Sequence, residues 1–446
     1  MLKTLANAWK IPDLKRKMVF TLVIVLLYRL GACIPVPYVS SDSLNYIITM
    51  NSTGSIFDYL NILSGQAFSQ ATLFALSVSP YITAQIVIQL LTIAIPALEK
   101  LSKEGEDGRK KINKITRYVT VGLALITAYG YYAYMKNLGV LTDTGWFAMI
   151  VIMACYCGGA SLIMWLADKI DENGIGNGIS IILFVNILSS GYATAQTIIN
   201  QIQKGGFANI FFAILSVIIM IAVITLVVFI TNSERRIPVQ YAKRVVGRKM
   251  YGGQNSNLPL KLNMSGVMPI IFASSIVSIP NTISMFVQPK SGSFWDKFLD
   301  VFATDSIVYV LLFIALIIAF SYFYIEISFN NVEVANNLKK NGGFIPGIRP
   351  GKPTADYIKM VLNRITLIGA IFLAFIAGLP LLVNIFAQGY LGALAFGGSS
   401  LLIVVGVALE TARELESQMA MRHYKGCLLY TSLDKHILID DCAVLK

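Results

Sequence analysis

The chain has 446 residues, of which 56% are hydrophobic and 13% charged, with a mean hydropathy of +0.67 and a formal net charge of +12. Soluble domains carry roughly 25% charged residues, so this composition excludes a string of ordinary water-soluble domains and predicts an all-α polytopic membrane protein. The five cysteines (Cys33, Cys155, Cys157, Cys427 and Cys442) are scattered and form neither a disulfide framework nor a zinc pattern, and both histidines, His423 and His436, lie in the last 25 residues.

A helix needs about 20 apolar residues to cross the hydrocarbon of a bilayer. Ten stretches meet this along the chain: 18–35, 72–98, 119–134, 146–167, 179–197, 210–231, 267–287, 307–327, 366–386 and 391–409. The first is long and has no small-residue cleavage site after it, so it reads as a span rather than a leader. Thirty-one Lys and Arg residues lie before the first span, after the tenth, or in the gaps that follow even-numbered spans. The alternate gaps hold only Lys136, Lys204, Lys290 and Lys297, and Arg29 lies inside the first span. Positive charge marks the cytoplasmic side, so both termini are predicted to be cytoplasmic. No basic domain stands apart from the membrane, which makes nucleic acid a poor reading of the +12 charge.

Two kinds of gap depart from short connectors. Residues 36–71 are external, nearly uncharged, and contain SIFDYLNILSGQAFSQA, a half-length apolar piece interrupted by Ser64, Gly65 and Ser69. Such a piece either enters the membrane where protein or a watery cavity surrounds it, or lies on the outer surface as an interfacial helix. Spacing leaves both open. Gaps 232–266 and 328–365 each exceed 30 residues; connections this long are usually functional or disordered. Their mixture of basic, aromatic, Gly and Pro residues predicts ordered hairpins.

Enzymatic chemistry has little to work with. The charged residues well inside spans are Arg29 and Glu326, each near a span end, and both read as side chains that snorkel to an interface. GIGNGIS at 174–180 lacks the spacing and preceding strand of a dinucleotide fingerprint and reads as a flexible turn into the fifth span. GIRPGKPT at 347–354 has Pro346 and Pro353 where a phosphate loop needs Gly and Ser or Thr. No catalytic residue, metal or cofactor is expected, so energy must come from a partner or a gradient. A secondary transporter of small solutes would keep ionisable groups near the midplane, and the spans carry none there. An insertase or scaffold without a continuous pore shares the same topology.

Six longer strings carry a resemblance. They are FALSVSPYITAQIVIQLLT (74–92), KEGEDGRKKINKITRY (103–118), GIGNGISIILF, YAKRVVGRKMYGGQNSNLPLKLNMSGVMPIIFASSI (241–276), NVEVANNLKKNGGFIPGIRPGKPT (331–354) and GGSSLLIVVGVALET (397–411). In this order, over residues 1–426, the chain resembles the SecY family of protein-conducting channel subunits. The resemblance implies two pseudo-symmetric halves of five helices, 1–203 and 204–426, and a short plug helix at about 61–72 that covers Asn61, Ile62, Leu63, Ser64, Gly65, Gln66, Ala67, Phe68 and Ser69. The tail 427–446, CLLYTSLDKHILIDDCAVLK, departs from the family pattern and leaves any role of a native C-terminal tail in doubt.

Carried over by motif, the pore ring is Val78, Ile82, Leu183, Ile187, Ile271 and Ile403. Independently of family, the paired members lie four apart and so share a helix face. A narrow aliphatic constriction excludes water and ions by dewetting while offering no hydrogen bond to a sliding polypeptide. The resemblance also implies a lateral gate between the second and third spans and the seventh and eighth. Gln85, Gln89, Ser274, Ser275 and Asn281 interrupt that seam with polar groups able to exchange hydrogen bonds. Lys243, Arg244, Arg248, Lys249, Lys339, Lys340, Arg349 and Lys352 fall where the family meets the ribosome or the SecA motor. A guanidinium on a rigid loop suits bidentate contact with carboxylate or RNA phosphate. Implied partners are SecE and SecG subunits, SecA, the ribosome, preprotein signal sequences and membrane lipids, and the implied location is the bacterial plasma membrane.

Overall fold

The computed structural model describes residues 2–51, 61–203, 207–241, 244–246, 249–251, 255–280, 306–386 and 397–433. Lys243, Arg248, Asn281, the second part of the seventh predicted span, the start of the tenth and residues 434–446 lie outside the described residues. In chain order the helices are α1 (Leu2–Trp9), α2 (Pro12–Gly31), α3 (Ser41–Asn51), α4 (Ser79–Ala94), α5 (Pro96–Lys103), α6 (Glu106–Asn137), α7 (Trp146–Asn173), α8 (Gly178–Gln203) and α9 (Phe207–Asn232). Strands β1 (Glu234–Tyr241), β2 (Arg244–Val246), β3 (Lys249–Tyr251) and β4 (Asn255–Lys261) follow. Then come α10 (Met268–Val277), α11 (Ile307–Ser328), α12 (Asn331–Lys340), β5 (Gly343–Phe344), α13 (Lys352–Phe386) and α14 (Gly397–Leu433).

Proline marks the start of several helices. Pro12, Pro80, Pro96 and Pro269 occupy the first turns of α2, α4, α5 and α10, where a missing N–H costs nothing and the fixed φ suits the helix. This chemistry corrects the predicted second span. Residues 72–98 are not one helix: Thr72 bridges to Pro35, 73–78 are turns, the helix begins at Ser79, and Pro96 opens α5 after a 105° bend. Among the described residues, four helices are long and apolar enough to cross a membrane, and the bent pair α4–α5 makes a fifth. The predicted spans that begin at 18, 119 and 179 fall in α2, α6 and α8, while α10 holds the described part of the seventh and α14 that of the tenth. Several helices outrun their predicted spans. α6 starts at Glu106, α13 at Lys352, and α14 continues past 409, because charged residues do not end a helix whose apolar face keeps its packing.

Within residues 1–203, α6 packs between α4 and α7, and α2 lies against α7 and α8. Within the second half, α11 packs between α10 and α13, and α14 lies against α9 and α13. The two groups meet where α4 touches α10 and where α8 touches α9 and α14. The glycine-rich turn between α7 and α8 is pinned: the Gly178 N–H donates to Asp171 Oδ1 at 2.7 Å. A Cβ at Gly178 would lie 2.1 Å from the Ala167 carbonyl oxygen, so close backbone approach explains the glycine.

The first long basic loop forms antiparallel pairs, as the expected ordered hairpins require, and the second loop joins it in one module. β1 pairs antiparallel with β4 along Glu234↔Lys261 to Gln240↔Asn255, and its far end pairs with β5 through Gln240↔Phe344 and Tyr241↔Gly343. Residues some hundred positions apart thus share a sheet of order β4-β1-β5, with β2 and β3 as a small ladder beyond it. The second loop contributes α12, capped by the Asn330 side chain accepting from the Glu333 N–H at 3.2 Å, with Lys339 and Lys340 in its last turn, where cations suit the helix dipole. Ile237, Val239, Leu260, Ile345, Ile358, Leu362 and Ile365 are buried together beneath the sheet. Ile358 is fully buried, and truncating such a side chain costs about 2–5 kcal/mol. Ile358→Ala should therefore expose the Arg236 and Arg349 regions to trypsin under conditions where the parent loops resist; equal resistance would show that the module does not depend on this core.

Candidate pore and plug

The six candidate ring residues converge. Val78 precedes α4 and Ile82 lies on it, Leu183 and Ile187 lie on α8, Ile271 on α10 and Ile403 on α14, so four helices contribute. All six are buried, between 1% and 8% exposed, within one contiguous hydrophobic cluster. Ile62 and Leu63 pack against the same cluster from the plug segment. On the basic side, a cavity of about 440 Å³ opens nearby, lined by Val267, Leu402 and Gly406 and by Lys261, Glu410 and Arg413. Arg413 donates from Nη2 to the Thr231 carbonyl at 2.9 Å and to Asn232 Oδ1 at 2.8 Å, which ties α14 to the end of α9.

The candidate plug segment, among the described residues, is helical over Asn61–Leu63 and continues in turns from Ser64 to Ala71, so the helix expected to run to about 72 stops early. Local polar chemistry explains the difference, since Ser and Asn side chains compete with helical bonding. The Ser64 hydroxyl accepts from the Phe68 N–H at 3.0 Å and donates to the Asn61 carbonyl at 3.1 Å. Asn61 Oδ1 accepts from the Ser69 N–H at 3.1 Å. Gly65 and Gln66 both take positive φ, 66° and 71°, and Ala71 and Ser77 follow at 46° and 51°. Non-glycine residues hold such φ only when their surroundings impose it. Nearby, the Phe74 ring stacks on Tyr28 at 5.2 Å and fills the space over Gly31.

Side chains of the first half reach into this segment. Asn186 Nδ2 donates to the Leu63 carbonyl at 2.8 Å and to Ser77 Oγ at 3.3 Å, while the Ser77 hydroxyl donates to the same carbonyl at 3.1 Å. The Ser190 hydroxyl donates to the Ile62 carbonyl at 3.1 Å, and the Tyr131 hydroxyl to the Phe68 carbonyl at 2.5 Å. Arg29 does not snorkel. Its Nη1 donates to the Gly65 carbonyl at 3.3 Å and its Nη2 to the Ser189 hydroxyl, because carbonyls and a hydroxyl within reach satisfy the guanidinium better than a longer path to the interface. Glu326 pairs with Lys359 of α13 at 3.5 Å and is largely exposed, in keeping with its place near a span end. Asn186, Ser190 and Tyr131 were not singled out in the sequence; the signal available was the run of polar residues Asn186, Ser189 and Ser190 inside an apolar span.

At the seam, α4 meets α10, and Gln85 and Gln89 are half-buried on α4. The Ser274 and Ser275 hydroxyls donate back to the Ile271 carbonyl at 2.9 and 2.8 Å, a bonding pattern internal to α10. Arg244 and Lys249 fall on β2 and β3, and Lys339, Lys340, Arg349 and Lys352 are exposed on the joint module.

Comparison with known proteins agrees with this arrangement. The SecY family model matches residues 72–412. A Mycobacterium tuberculosis protein named Protein translocase subunit SecY is 44% identical, over 96% of this chain and 100% of the relative. A Streptomyces galbus protein of the same name is 42% identical with the same coverage. A solved protein-conducting channel, 18% identical, superposes with a TM-score of 0.63 over 90% of this chain and 92% of its own. Sec61 from a canine ribosome–channel complex, 16% identical, gives a TM-score of 0.59 with the same coverage. A further SecY structure with a TM-score of 0.63 is described by its plug domain, which stabilises the closed state and maintains a membrane seal. With the family model spanning most of the chain and relatives matched over their whole length, the chain is a multi-pass membrane protein of the SecY family.

Proposed function

We propose that this chain is the pore-forming subunit of a bacterial Sec translocon, which moves unfolded preproteins outward through an aliphatic constriction and releases apolar segments sideways into lipid. The observation that carries the reading is the meeting of Val78, Ile82, Leu183, Ile187, Ile271 and Ile403 in one buried apolar cluster, against which Ile62 and Leu63 pack. In such a closed state the ring and the segment above it exclude water together; separation of α4 from α10 opens a path toward lipid. The translocase names of the relatives support the transported class. The two halves divide at about residue 203, ten spans place both termini in the cytoplasm of a plasma-membrane protein, and SecE- and SecG-like subunits complete the assembly. SecA or the ribosome supplies the drive on the basic module; this chain supplies the conduit and no catalysis.

The test is photocrosslinking. With a photoreactive residue at Ile82, the SecE-like partner present and a secretory precursor stalled midway, an adduct to the precursor is expected at position 82 and not at the exposed Ile218 on α9. A stalled precursor that leaves position 82 unmarked would overturn the ring and return the solute-transporter alternative.

A further inference from the structure

We propose that Asn186 and Arg29 are positioning residues of the gate: with Ser190 and Tyr131 they form a polar latch that holds the plug segment to the first half of the molecule by its backbone carbonyls. The inference rests on the channel reading above and concerns what keeps its plug in place. Four carbonyls of one short segment, Ile62, Leu63, Gly65 and Phe68, each accept a hydrogen bond from a side chain outside it. The donors stand on α8, α2 and α6, so three helices of the first half grip the same stretch, Ile62–Phe68. Backbone carbonyls are acceptors whatever the plug's own side chains, so the grip depends on the gripping residues and on the path of the backbone.

That path is fitted to the latch. A Cβ at Gly65 would stand 3.0 Å from both Arg29 Nη1 and Asn186 Oδ1, and Ser77, held at a φ of 51°, is placed where its hydroxyl bridges Asn186 and Leu63. The Asn186 side chain is fully buried among these groups. Beside it the buried Tyr28 hydroxyl faces both Asn186 and Ser77, so the polar groups of the latch gather around one amide. Water entering as the plug lifts can take over the four carbonyls that the latch releases. Such a latch is firm when dry and releasable when wet. The Arg29 contribution is charge-assisted and so among the stronger ties.

The experiment uses the full chain, with its partner subunits, in proteoliposomes. A cysteine-free background carries Ala67→Cys, a buried reporter at 1% exposure, labelled by a membrane-impermeant maleimide with and without a stalled precursor. Asn186→Leu and Arg29→Met are each expected to raise labelling without precursor by about tenfold, the shift worth one buried or charge-assisted hydrogen bond. In both, the further rise on adding precursor should shrink, while Arg29→Lys and Asn186→Gln should restore part of the protection. Ser190→Ala and Tyr131→Phe, milder changes, should raise labelling less. Labelling unchanged from the parent in both main variants, with the chains assembled, would overturn the latch. A parent that carries no precursor would instead overturn the channel reading, whatever the labelling.

Discussion

Arg349→Glu is expected to reduce precursor translocation into inverted vesicles at least tenfold while the chain still inserts and assembles. Arg349 is exposed between β5 and α13, and its backbone is held from both sides. Gly347 and Gly351 take positive φ, 81° and 106°, and the Thr354 hydroxyl donates to the Arg349 carbonyl at 2.8 Å. A surface substitution of this kind changes stability by about 0.5 kcal/mol or less, so a large loss of transport would report the partner interface and not the fold. Reversal from cation to anion replaces a bidentate contact with repulsion against an acidic or phosphate-rich partner. Lys339→Glu, on the exposed end of α12, should have a smaller effect, because an ammonium on a flexible stem is a less directional contact. Transport at the parent rate by Arg349→Glu would remove this loop from the proposed drive.

Ile187→Asn is expected to raise the resting ion conductance of reconstituted channels at least tenfold, whereas Ile187→Val should leave it near the parent. Ile187 is 7% exposed, within the same apolar cluster as the other five ring residues. Valine removes one methylene and keeps the surface apolar, at a cost of about 0.5–1.5 kcal/mol. An amide in that position carries donors and an acceptor that the aliphatic neighbours cannot pair, so water follows it, and a wetted constriction conducts. Single-channel recording in planar bilayers reads the difference directly. A tight Asn variant would mean that Ile187 does not border the conducting path.

The apolar helices were legible in the sequence because crossing lipid demands long uncharged runs, and charge asymmetry orients them whatever the tertiary contacts. The candidate ring could be picked out only through motif resemblance, since Ile82 or Ile187 looks like any other aliphatic in a span. What could not be read locally depends on distant partners. β5 is two residues long and becomes a strand because β1, about a hundred residues earlier, offers it an edge. The turns after Leu63 depend on Asn61 and Ser64 bonding within the segment and on Asn186 and Arg29 reaching in from other helices. The start of α4, by contrast, was written locally: Pro80 favours a first turn, and Pro96 cannot continue the helix before it. Arg29 carried a signal too, because a charge inside a span is more often at work than idle.

The joint module changes what a push from the basic side can accomplish. Arg349 and Lys352 stand at the root of α13, a helix that continues to Phe386 with Pro380 in its last turns and lies along α11, which in turn backs α10. Because β1 and β5 tie the other loop to the same root, a load placed on either loop reaches one shaft. Thirty-five residues of helix span about 50 Å at 1.5 Å per residue, longer than the hydrocarbon is thick. The surplus, residues 352–365, stands on the basic side, so a partner docking there would grip an arm whose other end reaches across the bilayer, with the seam helix α10 one layer away.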